Sequence, residues 1–284
     1  MKANPIVSVV ITSYNQKSEL AEAIESVLAQ SRQPSEVLVC DDASSDGSRE
    51  LIRSYEQRGD SVVRGICHEL NVGVSKNRSA GLRAASGDFV TWLDGDDIFL
   101  PRKLEVEIDR LMEVRSGRWA YSQVRVRDLQ KGVIHNRYTN AVEGDIFEAV
   151  AGMVGFAPKS PLVERALLEE VGYLDPQLEL YEDFDLILRL AARSPVVFTS
   201  ETGMEYRKHG AGLHTKEQER HLESLAYIDK KLARLAAERG PKAAEAMVER
   251  FRERVYVMTN TAIQSRRFGW LDRFISGKRK NGKR

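Results

Sequence analysis

The amino-terminal part of the chain alternates continuous apolar runs with segments of helical periodicity, and this alternation limits the possible folds more than any other feature. Four apolar runs, rich in β-branched residues, have the length of buried strands: residues 6–12, 37–40, 62–67 and 89–93. Segments with helical spacing lie between and after them: residues 18–30, the stretch around Leu51 and Ile52, and residues 74–85 and 104–112. Apolar strands that alternate with helices predict an α/β fold, in which a mainly parallel sheet is covered on both faces.

The rest of the chain has a less regular pattern. Residues 119–127 and 133–138 are typical of strands in a second, mixed region. Beyond His214 the chain is rich in Ala, Leu, Glu, Arg and Lys, which favour helices. We therefore expect an α/β domain over residues 1–214 and a helical extension over residues 215–284.

Composition and charge exclude several classes of protein. No uncharged apolar run reaches the roughly 18 residues that a membrane-spanning helix needs. Residues 6–12 are too few for a signal peptide and lack a cleavage pattern, so we expect a cytoplasmic location. Lys and Arg number 43 against 42 Asp and Glu, which does not indicate nucleic-acid binding. Cys40 and Cys67 lie in apolar runs, where we expect both to be buried.

Polar residues directly follow three of the predicted strands. They are residues 12–15, with Asn15 at their end, residues 41–46 and residues 94–97. The carboxyl ends of parallel strands meet at one edge of a sheet, where helix amino termini offer unpaired N–H groups to ligands. We therefore expect these residues to line a ligand site.

The sequence Asp94-Gly95-Asp96-Asp97 places three carboxylates after a buried strand. Carboxylate oxygens at this spacing suit a hard cation such as Mg²⁺ or Mn²⁺, and a cation held there can bind a diphosphate. Asp and Gly also favour solvated turns. The pattern alone therefore leaves a metal site and an acidic turn as alternatives.

Further candidate residues are Arg78 and Asp183, at the starts of two predicted helices, and His209. Arg78, in the glycine-containing segment 71–78, is a candidate for holding a phosphate or a base carbonyl. Asp183 begins an apolar helix, where an acid complements the helix dipole, but a carboxylate at a cleft edge can also deprotonate a hydroxyl. His209 is a candidate metal ligand or donor to a phosphate, although a single histidine is more often structural or exposed.

Two signatures of nucleotide-binding proteins are absent from the sequence. No Gly-x-Gly-x-x-Gly follows the first strand, and no Gly-x-x-x-x-Gly-Lys-Ser/Thr occurs. These absences argue against a dinucleotide dehydrogenase and a P-loop ATPase. A sugar-phosphate nucleotidyltransferase is disfavoured as well, because residues 13–16 are not a glycine-rich phosphate-binding segment.

Four motifs, in order, resemble family 2 of the inverting glycosyltransferases, whose fold is called GT-A. They lie within residues 5–209 and read VSVVITSYNQ, VLVCDDASSDGS, NVGVSKNRSAGLRAASGDFVTWLDGDDIFLP and YEDFDLILRL. The resemblance implies a GT-A catalytic domain over residues 1–214. Its nucleotide-binding part would span residues 1–100 and its acceptor side residues 101–214.

The resemblance also implies roles on the nucleotide side. Thr12 and Tyr14 match positions that line the nucleotide pocket. Asp41 or Asp42 would contact the base, which is usually uracil in this family.

Roles are likewise implied around the acidic motif. Arg78 matches an arginine on the nucleotide side, although Ser79 stands where the family usually has Asn. Asp94 and Asp96 match the DxD element, the first facing the ribose or sugar and the second ligating the metal, while Asp97 supports the loop.

The implied reaction is an in-line displacement in which Asp183, matching the family's base, deprotonates an acceptor hydroxyl that attacks the anomeric carbon. A metal on Asp96, Mn²⁺ or Mg²⁺, would stabilise the leaving diphosphate, assisted by His209. We expect a nucleotide-sugar donor, with UDP-sugars favoured, and a saccharide, lipid-linked or protein acceptor in cell-surface polysaccharide or glycoconjugate synthesis. A degenerate domain that only binds nucleotide sugars or proteins is the alternative; intact Asp96 and Asp183 argue against it.

The end of the chain is basic and partly aromatic. Residues 266–284 hold eight Lys and Arg against the single acid Asp272, and they include Phe268 and Trp270. This composition suits a helix on an anionic membrane surface, and a solvated tail is the alternative. The extension would aid acceptor recognition, peripheral membrane attachment or formation of a homodimer.

Overall fold

The computed structural model describes residues 4–59, 61–138, 142–152, 158–209 and 218–260. The strands are β1 (Val7–Ser13), β2 (Glu36–Asp41), β3 (Val63–Cys67), β4 (Phe89–Asp94), β5 (Ile98–Phe99), β6 (Trp119–Asp128), β7 (Val133–Arg137), β8 (Leu162–Glu164) and β9 (Val196–Lys208). The helices are α1 (Lys17–Leu28), α2 (Ser48–Glu56), α3 (Val74–Ala84), α4 (Lys103–Val114), α5 (Phe147–Ala151), α6 (Arg165–Val171), α7 (Glu182–Arg193), α8 (Gln218–Ala237) and α9 (Pro241–Asn260).

The strands form one sheet in the order β3-β2-β1-β4-β8-β6-β9-β5, with β7 paired to β6. β1 lies in the parallel half of this sheet, between β2 and β4, and β2 pairs with β3. β8 runs antiparallel to both β4 and β6, while β6 and β9 are parallel. The predicted parallel strands are confirmed, and the second region is mixed, as the sequence predicted.

Helices cover both faces of the sheet because successive residues of a strand point to opposite sides. On one side Val9 and Ile11 pack with Ile24 of α1 and with apolar residues of α2 and α4. On the other side Val10 packs with Leu82 of α3 and with apolar residues of α5 to α9. Burial of each such aliphatic side chain contributes about 1.5–3 kcal/mol of hydrophobic free energy. The continuous apolar runs therefore produce a sheet with a core on each face.

Helix α3 lies close to the sheet at Gly81. A Cβ atom at this position would lie 2.4 Å from Cγ1 of Val10 and 2.6 Å from Sγ of Cys40. Asn77 in the same helix donates from Nδ2 to the carbonyl oxygen of Cys40 at 3.0 Å. This close packing fixes α3 against β1 and β2 and places Arg78 beside the end of β4.

The expectation that both cysteines are buried is wrong for Cys67. Cys40 in β2 is buried, whereas Cys67 at the end of β3 is exposed. β3 is an edge strand, and its residues after Val63 are only partly covered. The apolar run predicted the strand correctly but carried no information on its place in the sheet.

The helices α8 and α9 pack on the side of the sheet that carries α7. Leu225 and Ile228 of α8 and Phe251 of α9 belong to the same core as the apolar residues of α7. None of the described helices is long and apolar enough to cross a membrane. The predicted domain boundary at residues 214–215 and the basic residues 266–284 lie outside the described residues.

Candidate active site

Three of the predicted site segments meet at the carboxyl edge of the parallel strands. In the sheet register Thr12 of β1 lies opposite Cys40 of β2 on one side and Asp94 of β4 on the other. Ser13 lies opposite Asp41. Thr12 is buried, whereas the Tyr14 side chain is exposed. The strand order thus brings residues that are far apart in the sequence to one edge.

Asn15 ties together the loops that follow β1 and β2. Its φ angle is 52°, in the left-handed region that Asn tolerates better than most residues. Its N–H donates to Oγ of Ser44 at 2.8 Å, and its Oδ1 accepts from the N–H of Ser45 at 2.8 Å. These bonds give Asn15 a part in shaping the loop, and its contact with a nucleotide sugar stays a prediction.

Asp41 and Asp42 are both buried but differ in their hydrogen bonds. Both carboxylate oxygens of Asp42 accept backbone N–H groups, from Val72 at 2.7 Å and Gly73 at 3.0 Å, so this side chain holds the loop before α3. Oδ2 of Asp41 accepts from Nε of Arg49 at 3.2 Å. Its buried Oδ1 has no partner among the described residues. Asp41, unlike Asp42, therefore keeps one carboxylate oxygen without a hydrogen-bond partner in the described part of the chain.

Asp94 is the centre of a charge network that joins both halves of the sheet. The Arg78 guanidinium contacts Oδ1 of Asp94, and its Nη1 lies 3.3 Å from Oε1 of Glu182 at the start of α7. Nζ of Lys159 lies 3.3 Å from Oδ2 of Asp94. The network links α3, β4 and α7 through charge-assisted hydrogen bonds.

The charges in this network shift the pKa values of its members. Burial alone would raise the pKa of Asp94, but Arg78 and Lys159 hold it well below its usual range. Burial also disfavours the Lys159 ammonium, yet the carboxylates of Asp94, Asp97 and Asp183 outweigh it and raise the pKa of Lys159. The network therefore keeps Asp94 ionised and Lys159 protonated.

Asp96 and Asp97 complete the acidic loop after β4, and His209, directly after β9, lies beside Asp96. Burial, and then the charge of Asp94, raise the pKa of Asp96. Oδ2 of Asp96 lies 3.8 Å from Nε2 of His209, which is buried and has no hydrogen-bond partner within the described chain. Oδ1 of Asp97 accepts from the N–H of Arg207 at 2.9 Å, which ties the loop to β9.

These residues fit a divalent cation. A carboxylate oxygen and an imidazole nitrogen are both ligands for Mn²⁺, and a cation would provide the partner that His209 lacks. The described residues contain no group of three or more His, Cys, Asp or Glu side chains placed to hold a metal. Asp96 and His209 would therefore leave coordination positions for oxygens of a bound diphosphate and for water.

Asp183 lies in the first turn of α7, partly exposed. Its Oδ1 accepts from the N–H of Phe184 at 2.7 Å. Its charge contributes to raising the pKa values of Arg78, Lys159 and Tyr138. Asp183 is thus the partly solvated carboxylate beside the network that Asp94 organises.

Lys159 and Tyr206 are site residues that sequence reasoning missed. Nζ of Lys159 lies 4.9 Å from the centroid of the Tyr206 ring, and Cζ of Arg137 lies 5.8 Å from it. Lys159 precedes β8 and belongs to no recognised motif, while Tyr206 lies within a strand. No spacing in the sequence connects these residues to Asp94, because only the pairing of β6, β8 and β9 brings them together.

Comparisons with known proteins point to one family. Residues 8–140 match the model of glycosyl transferase family 2. The chain is 36% identical over 205 residues to TuaG of Bacillus subtilis, a glycosyltransferase whose name assigns it to teichuronic acid biosynthesis; the match covers 72% of this chain and 79% of TuaG. The chain belongs to glycosyltransferase family 2.

Two further comparisons of this family 2 member are with a curated relative and with a solved structure. It is 36% identical over 108 residues to WfgD of Escherichia coli, named as a UDP-Glc:α-D-GlcNAc-diphosphoundecaprenol β-1,3-glucosyltransferase; the match covers 38% of this chain and 42% of WfgD. The crystal structure of Staphylococcus aureus TarS residues 1–349 in complex with UDP-GlcNAc superposes with a TM-score of 0.75 and 17% identity, covering 96% of this chain and 79% of that one. The superposition confirms the predicted GT-A fold.

Proposed function

We propose that this family 2 glycosyltransferase moves a sugar from a UDP-sugar to a saccharide hydroxyl, with inversion at the anomeric carbon and with the help of a divalent metal. The observation that carries the proposal is the Arg78 guanidinium, which joins Asp94 at the end of β4 to Glu182 at the start of α7. Through this link the carboxylates on the donor side and Asp183 share one site.

The donor would bind across the carboxyl edge of the parallel strands. The unpartnered Oδ1 of Asp41 would accept the N–H of uracil, and the exposed ring of Tyr14 would pack on the base or the ribose. Solved TarS structures contain UDP and UDP-GlcNAc, which supports UDP-sugars as the first donors to test.

Asp96 and His209 would hold Mn²⁺ or Mg²⁺ together with the donor diphosphate. When bound, the metal supplies a positive charge that stabilises the leaving diphosphate. Arg78 and Lys159 balance the negative charge of Asp94, whose oxygens would accept hydrogen bonds from hydroxyl groups of the ribose or the transferred sugar. Asp97 keeps the loop on β9 through its bond to Arg207.

Asp183 would act as the general base. Its carboxylate removes the proton from the acceptor hydroxyl as the oxygen attacks the anomeric carbon from the side opposite the nucleotide. The bond from the anomeric carbon to the diphosphate breaks as the new bond forms, so the configuration inverts. Glu182, whose side chain is buried against Arg78, would hold the turn and would not receive the proton of the acceptor hydroxyl.

The acceptor we propose is a saccharide of cell-surface polysaccharide or glycoconjugate synthesis, and a lipid-linked saccharide is the first to test. The names of WfgD and TuaG support this choice, since the first acts on a diphosphoundecaprenol-linked sugar and the second belongs to teichuronic acid biosynthesis.

The test is to measure UDP release from UDP-glucose, UDP-GlcNAc, UDP-galactose and UDP-glucuronate, with Mn²⁺, Mg²⁺ or a chelator, in the presence of lipid-linked saccharide acceptors. A metal-dependent release with one donor supports the proposal, and NMR of the product should show an inverted anomeric configuration. Absence of UDP binding in calorimetry would contradict a transferase role. A retained configuration would contradict the assignment of Asp183.

A further inference from the structure

The turn that carries the proposed base is held by α8, a helix outside the segment that matches the family model. Residues 172–181 connect α6 to α7 and end at Tyr181, directly before Glu182 and Asp183. From the donor side, Oγ of Ser75 in α3 donates to the carbonyl of Leu178 within this connection. The opposite side of the connection faces α8.

Lys231 of α8 bridges the connection between α6 and α7 and the first turn of α7. Its Nζ lies 2.8 Å from Oδ2 of Asp175 and 2.6 Å from Oδ1 of Asp185. Asp185 is 1% exposed, so its charge needs a partner, and Arg189 of α7 supplies another at 2.7 Å. The hydroxyl of Tyr227, one helical turn before Lys231, donates to Asp175 at 3.1 Å.

His221 of α8 contacts the residue directly before the acidic pair. Its Nδ1 lies 3.1 Å from the hydroxyl of Tyr181, and the two rings pack edge to face with centroids 5.6 Å apart. Tyr181 has a φ of 61° and a ψ of 22°, a left-handed conformation that is unfavourable for a residue with a side chain. Its carbonyl then accepts the N–H of Asp185 at 2.9 Å, so this strained residue sets the first turn of α7.

We propose that α8 is a positioning element of the transfer site. His221 acts through Tyr181, and Lys231 acts through Asp175 and Asp185, to fix the direction in which α7 presents Asp183. The inference rests on the proposed role of Asp183 as base. His221 and Lys231 are positioning residues, since each contacts the turn rather than the base itself.

The kinetic test compares Tyr181→Phe and His221→Ala with the wild type, using UDP release from the donor that the wild type turns over fastest. We expect kcat to fall about tenfold in each variant, because a small misplacement of the base slows the reaction strongly. The KM for the donor and the Kd for UDP should change less than about twofold, because the donor side is held by α3. The double variant should be no slower than either single variant, since both remove the same contact.

Two further variants separate positioning from general stability. His221→Asn keeps a polar atom close to the place of Nδ1 and should recover most of the lost kcat. Glu223→Ala changes an exposed residue of the same helix and should leave kcat unchanged. Thermal unfolding of all variants shows whether a loss of kcat results from a loss of folded protein. If His221→Ala does not fold, Tyr181→Phe still tests the inference, because it removes only one oxygen atom.

The outcomes also separate this inference from the proposed function. Wild-type kcat in Tyr181→Phe and His221→Ala, beside an inactive Asp183→Asn, would overturn the role of α8 and leave the proposed function intact. If the wild type releases no UDP, the proposed function fails, and amide hydrogen exchange in residues 176–186 decides the structural claim. Faster exchange there in His221→Ala than in Glu223→Ala supports positioning by α8, and equal exchange overturns it.

Discussion

Glu182 and Asp183 are neighbours in the sequence with different surroundings. Glu182 is buried against Arg78, and burial together with the Asp183 charge raises its pKa to about 7. Asp183 is partly exposed, and its Oδ1 accepts the N–H of Phe184. Different environments of two adjacent carboxylates allow different roles, one in structure and one in proton transfer.

Replacement of Asp183 by Asn should remove turnover while donor binding persists. Loss of a general base costs about 10²–10⁴-fold in rate, and Asn keeps the shape of the side chain. We expect the Kd for UDP, measured by calorimetry, to stay within about twofold of the wild type. Asp109→Asn, at an exposed position of α4, is the matched control. Similar rates in Asp183→Asn and in the control would remove the base assignment.

The raised pKa of Glu182 predicts a pH dependence of stability. Its pKa is about 7 in the folded chain against an ordinary value of 4.5, so the folded state binds the proton more tightly than the unfolded state. The stabilising contribution is complete below the ordinary value and is lost as the pH rises through about 7. In Glu182→Gln the free energy of unfolding, from urea titrations at several pH values, should fall less across this window. Parallel pH profiles for both proteins would contradict the shift.

At the scale of elements, the sequence predicted where strands and helices occur better than it predicted which elements lie next to each other. The apolar runs gave β1 to β4 because continuous β-branched segments have few alternatives. The exposure of Cys67 was missed, because edge and central strands look alike in a single sequence. The motifs around Thr12, Asp94 and Asp183 could be recognised because each lies at the end of a predictable element.

The packing of α3 on the sheet can be tested at Gly81. Gly81→Ala would place a Cβ within 2.6 Å of both Val10 and Cys40, so we expect a loss of about 1–3 kcal/mol in the free energy of unfolding. UDP binding should weaken as well, because α3 carries Arg78. Gly59→Ala, whose Cβ would meet nothing within 4 Å, is the control and should change stability by less than about 0.5 kcal/mol. Equal stability of the two variants would show that α3 can move away from the sheet without cost.

At the scale of the whole molecule, the acceptor side could not be predicted residue by residue. Lys159 meets Tyr206 because β6 pairs with both β8 and β9, and His221 meets Tyr181 because α8 packs on α7. Motif spacing reports residues within one loop or turn. Contacts between distant segments depend on packing, which one sequence does not display.

The metal prediction also belongs to this scale, because Asp96 follows β4 and His209 follows β9, two strands that are far apart in the sequence. In the wild type, Mn²⁺ should tighten UDP binding, and UDP at about 100 times its Kd should stabilise the fold by about 2.7 kcal/mol. In Asp96→Ala the effect of Mn²⁺ on UDP affinity should disappear, while the unfolding temperature without ligand changes little. Calorimetry with and without chelator measures the first quantity. Equal enhancement by Mn²⁺ in the variant would exclude Asp96 as a ligand.

The position of β1 between β2 and β4 has a consequence for how the chain acquires its structure. β1 is synthesised before β4, so one of its edges stays open until β4, paired from Phe89 opposite Val7, has also emerged. An unpaired edge of an apolar strand is prone to join other chains. Long-range pairing of this kind slows folding, so we expect β1 to stay half covered until the residues of β4 have been synthesised.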